Sequence, residues 1–339
     1  MRYSSRFFLY VPLLFLLMLA VAAMLRWQAV AAGLERRLLR VNGHEIAPGV
    51  ALRFGSEKVS GFPFNVDALL AGVTVETGSA HRPIVWHTEQ FAIHELTFGR
   101  AQQIYEAAGR QSVSWTDADG AVHRFVFVPG SLRASAIESG GRLVRFDLDI
   151  NGIGSPDLSG ARAQLHFRKA PDRDAIDVVL SADDLHLAPA LQAGFGAAIK
   201  HLTVEGSLAP AAPFASLFSG AAEWQGALEK WRLDRGVFRI ATFDVTWGRL
   251  SAEGNGRFML DERHRPLGRL DLRVEGNLPA DAGAEAPLAH ALLELTKTPA
   301  RDARLAPGFS IDIAAGKAGV RRASSQQSAI PAGSLAPIY

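Results

Sequence analysis

The fold class predicted by the sequence is mainly β: an N-terminal transmembrane helix, then one elongated, curved antiparallel β-sheet domain with a few short helices. Three observations predict it. Residues Phe7–Leu25 (FFLYVPLLFLLMLAVAAML) contain no charge. From Val50 onward, apolar residues recur at every second position in segments punctuated by Gly, Pro and Ser, the period of a half-buried strand. These segments follow one another every ~8–14 residues without long helical patterns between them, which indicates a meander and not βαβ units.

The first element is the apolar run. At 1.5 Å per residue it spans about 28 Å, close to the hydrocarbon thickness of a bilayer. Arg2 and Arg6 precede it; Arg26 and Trp27, a cation and an aromatic suited to the interface, follow. Ala20-Val21-Ala22 also has the small-x-small form of a signal-peptidase site, which would give a mature chain starting at Ala23. The run exceeds the ~7–15 residues of an ordinary signal h-region, so an uncleaved anchor is the expectation and a cleaved periplasmic form the alternative. Arg2 and Arg6 on the amino flank against Arg26, Arg36, Arg37 and Arg40 on the carboxyl flank favour, by count, a large domain left inside, so a cytoplasmic domain on a reversed anchor is the alternative. Long domains translocate with little regard to charge, and a signal-like start favours export. The expected location is the inner membrane, single-pass, with the large domain in the periplasm.

The second element, Ala29–Val41, places Val30, Leu34, Leu38 and Val41 on one helical face and Glu35, Arg36, Arg37 and Arg40 away from it. It continues the anchor helix until Asn42-Gly43 stops it. Strands are then expected at Val50–Phe54, Phe62–Val66, Gly72–Thr77 and Val85–Phe98. An Asp117–Gly120 hairpin turn joins Ser112–Thr116 to Val122–Val128. Further strands follow at Ser131–Ile137, Leu143–Ile150, Ala163–Phe167, Ile176–Leu187, Leu202–Leu208, Gly236–Val245, Arg249–Leu260 and Leu267–Gly276. Short helices are expected at Ala101–Ala108, Pro189–Ile199, Pro213–Ala222 and Pro287–Lys297. The last begins on a proline and carries Leu288, Leu292 and Leu295 along one face. The resulting organisation is an anchor or signal sequence (1–25), a juxtamembrane helix and linker (26–45), a β-rich exported domain (46–315) and a weakly structured tail (316–339).

Composition excludes several functions. The chain has no cysteine, so disulfides, thiolate nucleophiles, zinc–thiolate sites, iron–sulfur clusters and lipoprotein acylation are ruled out. Its 36 basic and 34 acidic residues leave a net charge of +2 without a dominant run, which argues against nucleic acid as a partner. Motifs fare no better. Asp147-x-Asp149-x-Asn151-Gly152 opens like a calcium loop, but its twelfth position is Leu158, not the bidentate glutamate. His87 and His94 are separated by an odd number on one strand and point to opposite faces, and His81 lies about 20 Å from His87 at 3.3 Å per residue. Gly194-Phe195-Gly196 lacks its third glycine, Gly316-Lys317 has Ile311 and Ala318 where a phosphate loop needs glycine and a hydroxyl, and no Gly-x-Ser-x-Gly occurs. The sequence therefore predicts no catalytic residues, no metal, no cofactor and no enzyme.

Aromatic placement is the remaining signal. Phe62, Phe64, Trp86, Trp115 and Trp247 fall on strands or at their edges. They serve either as ordinary core or as the lining of an apolar groove on one sheet face. These five are the candidate groove residues.

Three segments carry a family resemblance. They are the anchor with its interfacial tryptophan and basic helix (RFFLYVPLLFLLMLAVAAMLRWQAVAAGLERRL), Ser60-Gly61-Phe62-Pro63-Phe64 with Trp86-x4-Phe91-x-Ile93-x2-Leu96-x-Phe98, and Arg265-Pro266-Leu267-Gly268-Arg269-Leu270-Asp271-Leu272. Together they resemble the bacterial, mainly alphaproteobacterial, family catalogued as domain of unknown function 2125. Asn65 stands where that family often has arginine. The resemblance implies a single-anchor envelope protein with a β-rich exported domain and no assigned activity. The strand pattern is also similar in architecture to AsmA-like and lipopolysaccharide-transport proteins, whose curved sheets carry lipid in an apolar trough. The functional expectation is a membrane-anchored envelope protein that binds or passes a lipid ligand along the sheet. The alternative is a scaffold for an envelope protein partner.

Overall fold

The computed structural model of the chain describes residues 5–79, 82–97, 102–117, 120–276, 286–297, 308–323 and 328–338. Helix α1 (Ser5–Val41) is continuous. It is the one helix among the described residues long and apolar enough to cross a membrane. Pro12 lies inside it, and it ends where Asn42 N–H bonds Leu38 O and Gly43 turns to φ +80°. Its two halves differ. Tyr10–Leu25 stands almost wholly clear of the rest of the chain, whereas Ala31, Leu34 and Leu38 are buried against the sheet.

The described strands form a single sheet of 17. The first three, β1 (His44–Ala47), β2 (Val50–Arg53) and β3 (Ser56–Ser60), are short. Two of them, β2 and β3, lie end to end along β4 (Asn65–Ser79). From there each strand pairs antiparallel with the next: β5 (Arg82–Leu96), β6 (Gln102–Thr116), β7 (Val122–Ser139), β8 (Arg142–Gly154), β9 (Leu158–Lys169), β10 (Ile176–Leu187) and β11 (Ala198–Ala209). After the helices α2 (Ala215–Phe218) and α3 (Trp224–Leu233) come β12 (Val237–Trp247), β13 (Leu250–Leu260) and β14 (Pro266–Gly276). Helix α4 (Pro287–Lys297) precedes β15 (Gly308–Ala314), β16 (Lys317–Arg322) and β17 (Ile330–Ser334).

Several elements differ from the expectation. The helix expected at Ala101–Ala108 is the start of β6; Ala101 itself lies outside the described residues, as do His81, Phe98 and Asp119. Its Gln, Ala and Glu residues suit a helix alone. Pairing of Tyr105 with Ile93 and Ala134 decides otherwise, because a strand there buries one face between two neighbours. Pro189–Ile199 reduces to one 3₁₀ turn, Pro189–Leu191, and Pro213–Ala222 to a 3₁₀ turn plus α2. The tail expected to be weakly structured from Gly316 carries β16 and β17.

The two separate strands expected around Pro129 are one, β7, as are those around Gly72, which lie in β4. Proline cannot donate to a ladder. Between Ala107 and Gln111 the register of β6 shifts, with Gly109 at φ +77°, and β7 passes this irregular stretch at Pro129. On its other side Pro129 stays in register with Ile153 of β8. Register shifts of this kind bend a strand and increase local twist.

Candidate functional site: the apolar face of the sheet

Antiparallel partners point to the same side of a sheet, so the register defines its two faces. One row crosses from β4 to β7 through Ala68, Ile93, Tyr105 and Ala134. It continues through Leu148, Leu165, Leu180 and Val204 on β8–β11, then Phe243, Gly254, Leu272 and Phe309 on β12–β15. Twelve strands thus contribute no charged residue to this row. The opposite face is the reverse. Asp149, Gln164, Ser181, Thr203, Asp244, Glu253 and Arg273 form one polar row across β8–β14.

Helices cover the apolar face at three places. The carboxyl half of α1 closes over Val66, Ala68, Leu70 and Val73 on β4. Helix α4 closes over β12–β17, burying Leu272, Phe309 and Val320 beneath Ala289, Leu292 and Leu295. The segment between β11 and β12 covers one end of the middle strands, where Phe214, Ala227 and Trp231 pack with Ile176, Phe167 and Val178. Its Trp231 Nε1 donates to Ala209 O at 3.1 Å. Between these covers, Leu148, Leu165, Leu180 and Val204 belong to none of the three clusters. Leu180 is 40% exposed and the other three are half-buried. This uncovered stretch is the candidate site.

Its electrostatics are those of an apolar surface. Tyr105 is the only side chain in the row with a titratable group. Burial, with Glu138 and Glu95 nearby, pushes its phenol up to about 12, so it stays neutral. Its hydroxyl is engaged by Gln103. Glu95 lies on this face too, two residues from Ile93, where Arg37 of α1 pairs with it at 3.2 Å; beside Leu148 and Leu165 the charges lie on the other face and are paired. His166 Nδ1 and Arg145 Nε each lie 2.7 Å from the Asp147 carboxylate, and Arg162 Nε 2.7 Å from that of Asp149. Burial alone raises the Asp147 pKa, yet the bonds from His166 and Arg145 outweigh it and hold the group below its ordinary range. The two acids of the calcium-like run are thus members of a polar strand face.

The five aromatic residues singled out from sequence occupy different places. Trp86 and Trp115 face the apolar side on β5 and β6. Trp86 stands edge-on to Phe91 and donates from Nε1 to the buried Gln111 Oε1 at 3.1 Å; Trp115 is 39% exposed and stacks on His123. Trp247 packs on Phe195 within the cluster under α4 and donates to Gly196 O at 2.8 Å. Phe62 and Phe64 are on the loop before β4, away from the row, with Phe62 edge-on to Trp27. The row itself is aliphatic at its centre. Strand alternation places Leu148, Leu165, Leu180 and Val204 individually, but only the register between strands shows that they meet.

A family model for an uncharacterised protein conserved in bacteria, DUF2125, matches residues 27–324. The chain belongs to the DUF2125 family. The match starts at Trp27, the first residue of α1 that hydrogen-bonds the sheet, through Nε1 to Asn65 O at 2.9 Å. The matched region thus includes the packed half of α1. Nothing among curated proteins or solved structures matches the chain.

Proposed function

We propose that this DUF2125 protein is a non-enzymatic, membrane-anchored envelope protein whose domain lies in the periplasm and holds an acyl-chain lipid against the uncovered stretch of its apolar sheet face. The observation that carries the reading is the uncharged row that leaves its covers at the middle of the sheet. From Leu148 to Val204 it crosses three strand spacings, about 14 Å at ~4.8 Å each. That is close to the ~15 Å apolar half-thickness of a bilayer in which an acyl chain normally sits. Each methylene removed from water contributes about 0.8 kcal/mol, so even partial coverage stabilises a bound chain. The anchor helix keeps the domain beside a reservoir of such chains.

A photoreactive residue at Leu180 in the full-length protein tests this. Irradiated in cells, it is expected to form lipid adducts detectable by mass spectrometry, while the same group at Ser181, one residue away on the opposite face, forms none. Equal labelling at both positions would overturn the reading. Adducts at Leu180 to one protein and never to lipid would establish the scaffold role instead. Leu180→Asp gives a second readout: the side chain is exposed enough for the domain to fold, and lipid co-purifying with it is expected to fall sharply.

A further inference from the structure

Large apolar residues at the tip of a loop need a partner when they form one patch. At one end of the sheet Phe62 is 55% exposed, Phe64 75% and Leu96 57%. They form one edge: Leu96 pairs with Asn65, and Thr97 N–H donates to Phe64 O at 2.9 Å. The loop is held in shape. Asn65 N–H bonds Gly61 O at 3.2 Å, and Gly61 sits at φ +102°, where an added Cβ would lie 2.6 Å from Asp67 Oδ2. The aromatic rings are therefore presented outward by a built turn.

What identifies the partner is the position of α1. Trp27 donates to Asn65 O and its ring meets Phe62 edge-on at a centroid distance of 5.7 Å. Trp27 is two residues past Leu25, the last of the uncharged run, or about 3 Å along the helix axis. A side chain touching Trp27 thus stands at the depth where the helix leaves hydrocarbon. Tryptophan and phenylalanine at that level bury apolar rings among lipid headgroups. The exposed cation Arg26 lies at the same level, matched to phosphate.

We propose that the Gly61–Asn65 loop and Leu96 are seated in the headgroup region of the membrane that α1 enters, so that the domain is docked on the bilayer at this end of the sheet. This rests on α1 being a membrane anchor and is independent of lipid on the central row.

The chain has no cysteine, so single substitutions can be labelled selectively. Phe64→Cys, Leu96→Cys, Leu17→Cys in the apolar helix and Val122→Cys at the opposite end of the sheet would each carry an environment-sensitive fluorophore. The full-length protein would be reconstituted in phosphatidylethanolamine–phosphatidylglycerol vesicles. Labels at positions 64 and 96 are expected to shift to the blue, to be quenched by a lipid bearing a nitroxide near its headgroup, and to resist iodide several-fold better than the label at 122. An embedded label at 17 with labels at 64 and 96 behaving like that at 122 would overturn the docking and leave the anchor standing. A label at 17 open to iodide would remove the anchor and the docking together.

Discussion

Leu70 and Leu180 are the same residue on the same face of one sheet, yet Leu70 is wholly buried and Leu180 is 40% exposed. The difference is made by what lies above each strand. Over β4 the packed half of α1 supplies Ala31, Leu34 and Leu38; over Leu180 none of the three packed clusters extends. At the far end Phe309, also fully buried, shows the same closure by α4. Residue type along a strand therefore reports which way a side chain points, and coverage decides whether that position is core or surface. The middle of this sheet has the composition of a core without its cover.

The comparison can be broken by a pair of truncations. Leu70→Ala is expected to cost about 2–5 kcal/mol, the range for opening a cavity under a well-packed leucine. Leu180→Ala should cost under about 1 kcal/mol, because a half-open site loses little burial and leaves no cavity. Denaturant unfolding of the detergent-solubilised protein measures both. A Leu180→Ala cost equal to that of Leu70→Ala would mean that the middle of the face is closed, and the candidate site would be lost.

Much of this was legible in the sequence. Ile176–Leu187 and Pro287–Lys297 have the predicted limits, since alternation in the first and the Leu288–Leu292–Leu295 face in the second agree with their tertiary surroundings. Segment 101–108 was misleading for the opposite reason: local helix preference was overridden by cross-strand partners far away in sequence. Helix α3, not anticipated, has its signal in Ala227 and Trp231 at i and i+4, both buried, but surrounding strand patterns masked so short a period. The site was half legible. Tryptophan and phenylalanine attract attention, yet Trp247 is core and Phe62 and Phe64 form the loop beside α1. The aliphatic centre of the row depends on the register of four strands, which no local pattern specifies.

A smaller effect sharpens the contrast between helix and sheet as supports of that row. Gly254 is the row's only glycine, and a Cβ there would lie 2.0 Å from Asp271 O on β14. Gly254→Ala is therefore expected to destabilise by about 1–3 kcal/mol through overpacking. Gly33, in the packed half of α1, offers a Cβ nothing within 4 Å. Gly33→Ala is expected to stabilise by up to about 1 kcal/mol, the helix preference of alanine over glycine. Thermal melts of the two variants should move in opposite directions. A shift of the same sign would show that α1 and β13–β14 do not differ in how closely their backbones are approached.

The smallest expected effect separates the two faces by pH. Asp147 lies opposite the apolar row, bonded by His166 and Arg145, with its pKa held below the ordinary carboxylate value. A depressed carboxylate contributes stability that is present above its unfolded pKa of ~3.9 and is lost as pH falls through its folded value. The pair is partly exposed, so the contribution should stay under about 1 kcal/mol. Asp147→Asn is expected to melt slightly below the parent protein at pH 7, with the gap narrowing as pH falls below the unfolded value of ~3.9 and towards the lower folded one. Leu180→Ala, which touches no charge, should show a pH-independent offset over the same range. If the Asp147→Asn difference persisted undiminished to pH 3, the carboxylate's charge would not be what matters at that position. The paired charges of the polar face would then act through shape and hydrogen bonding alone.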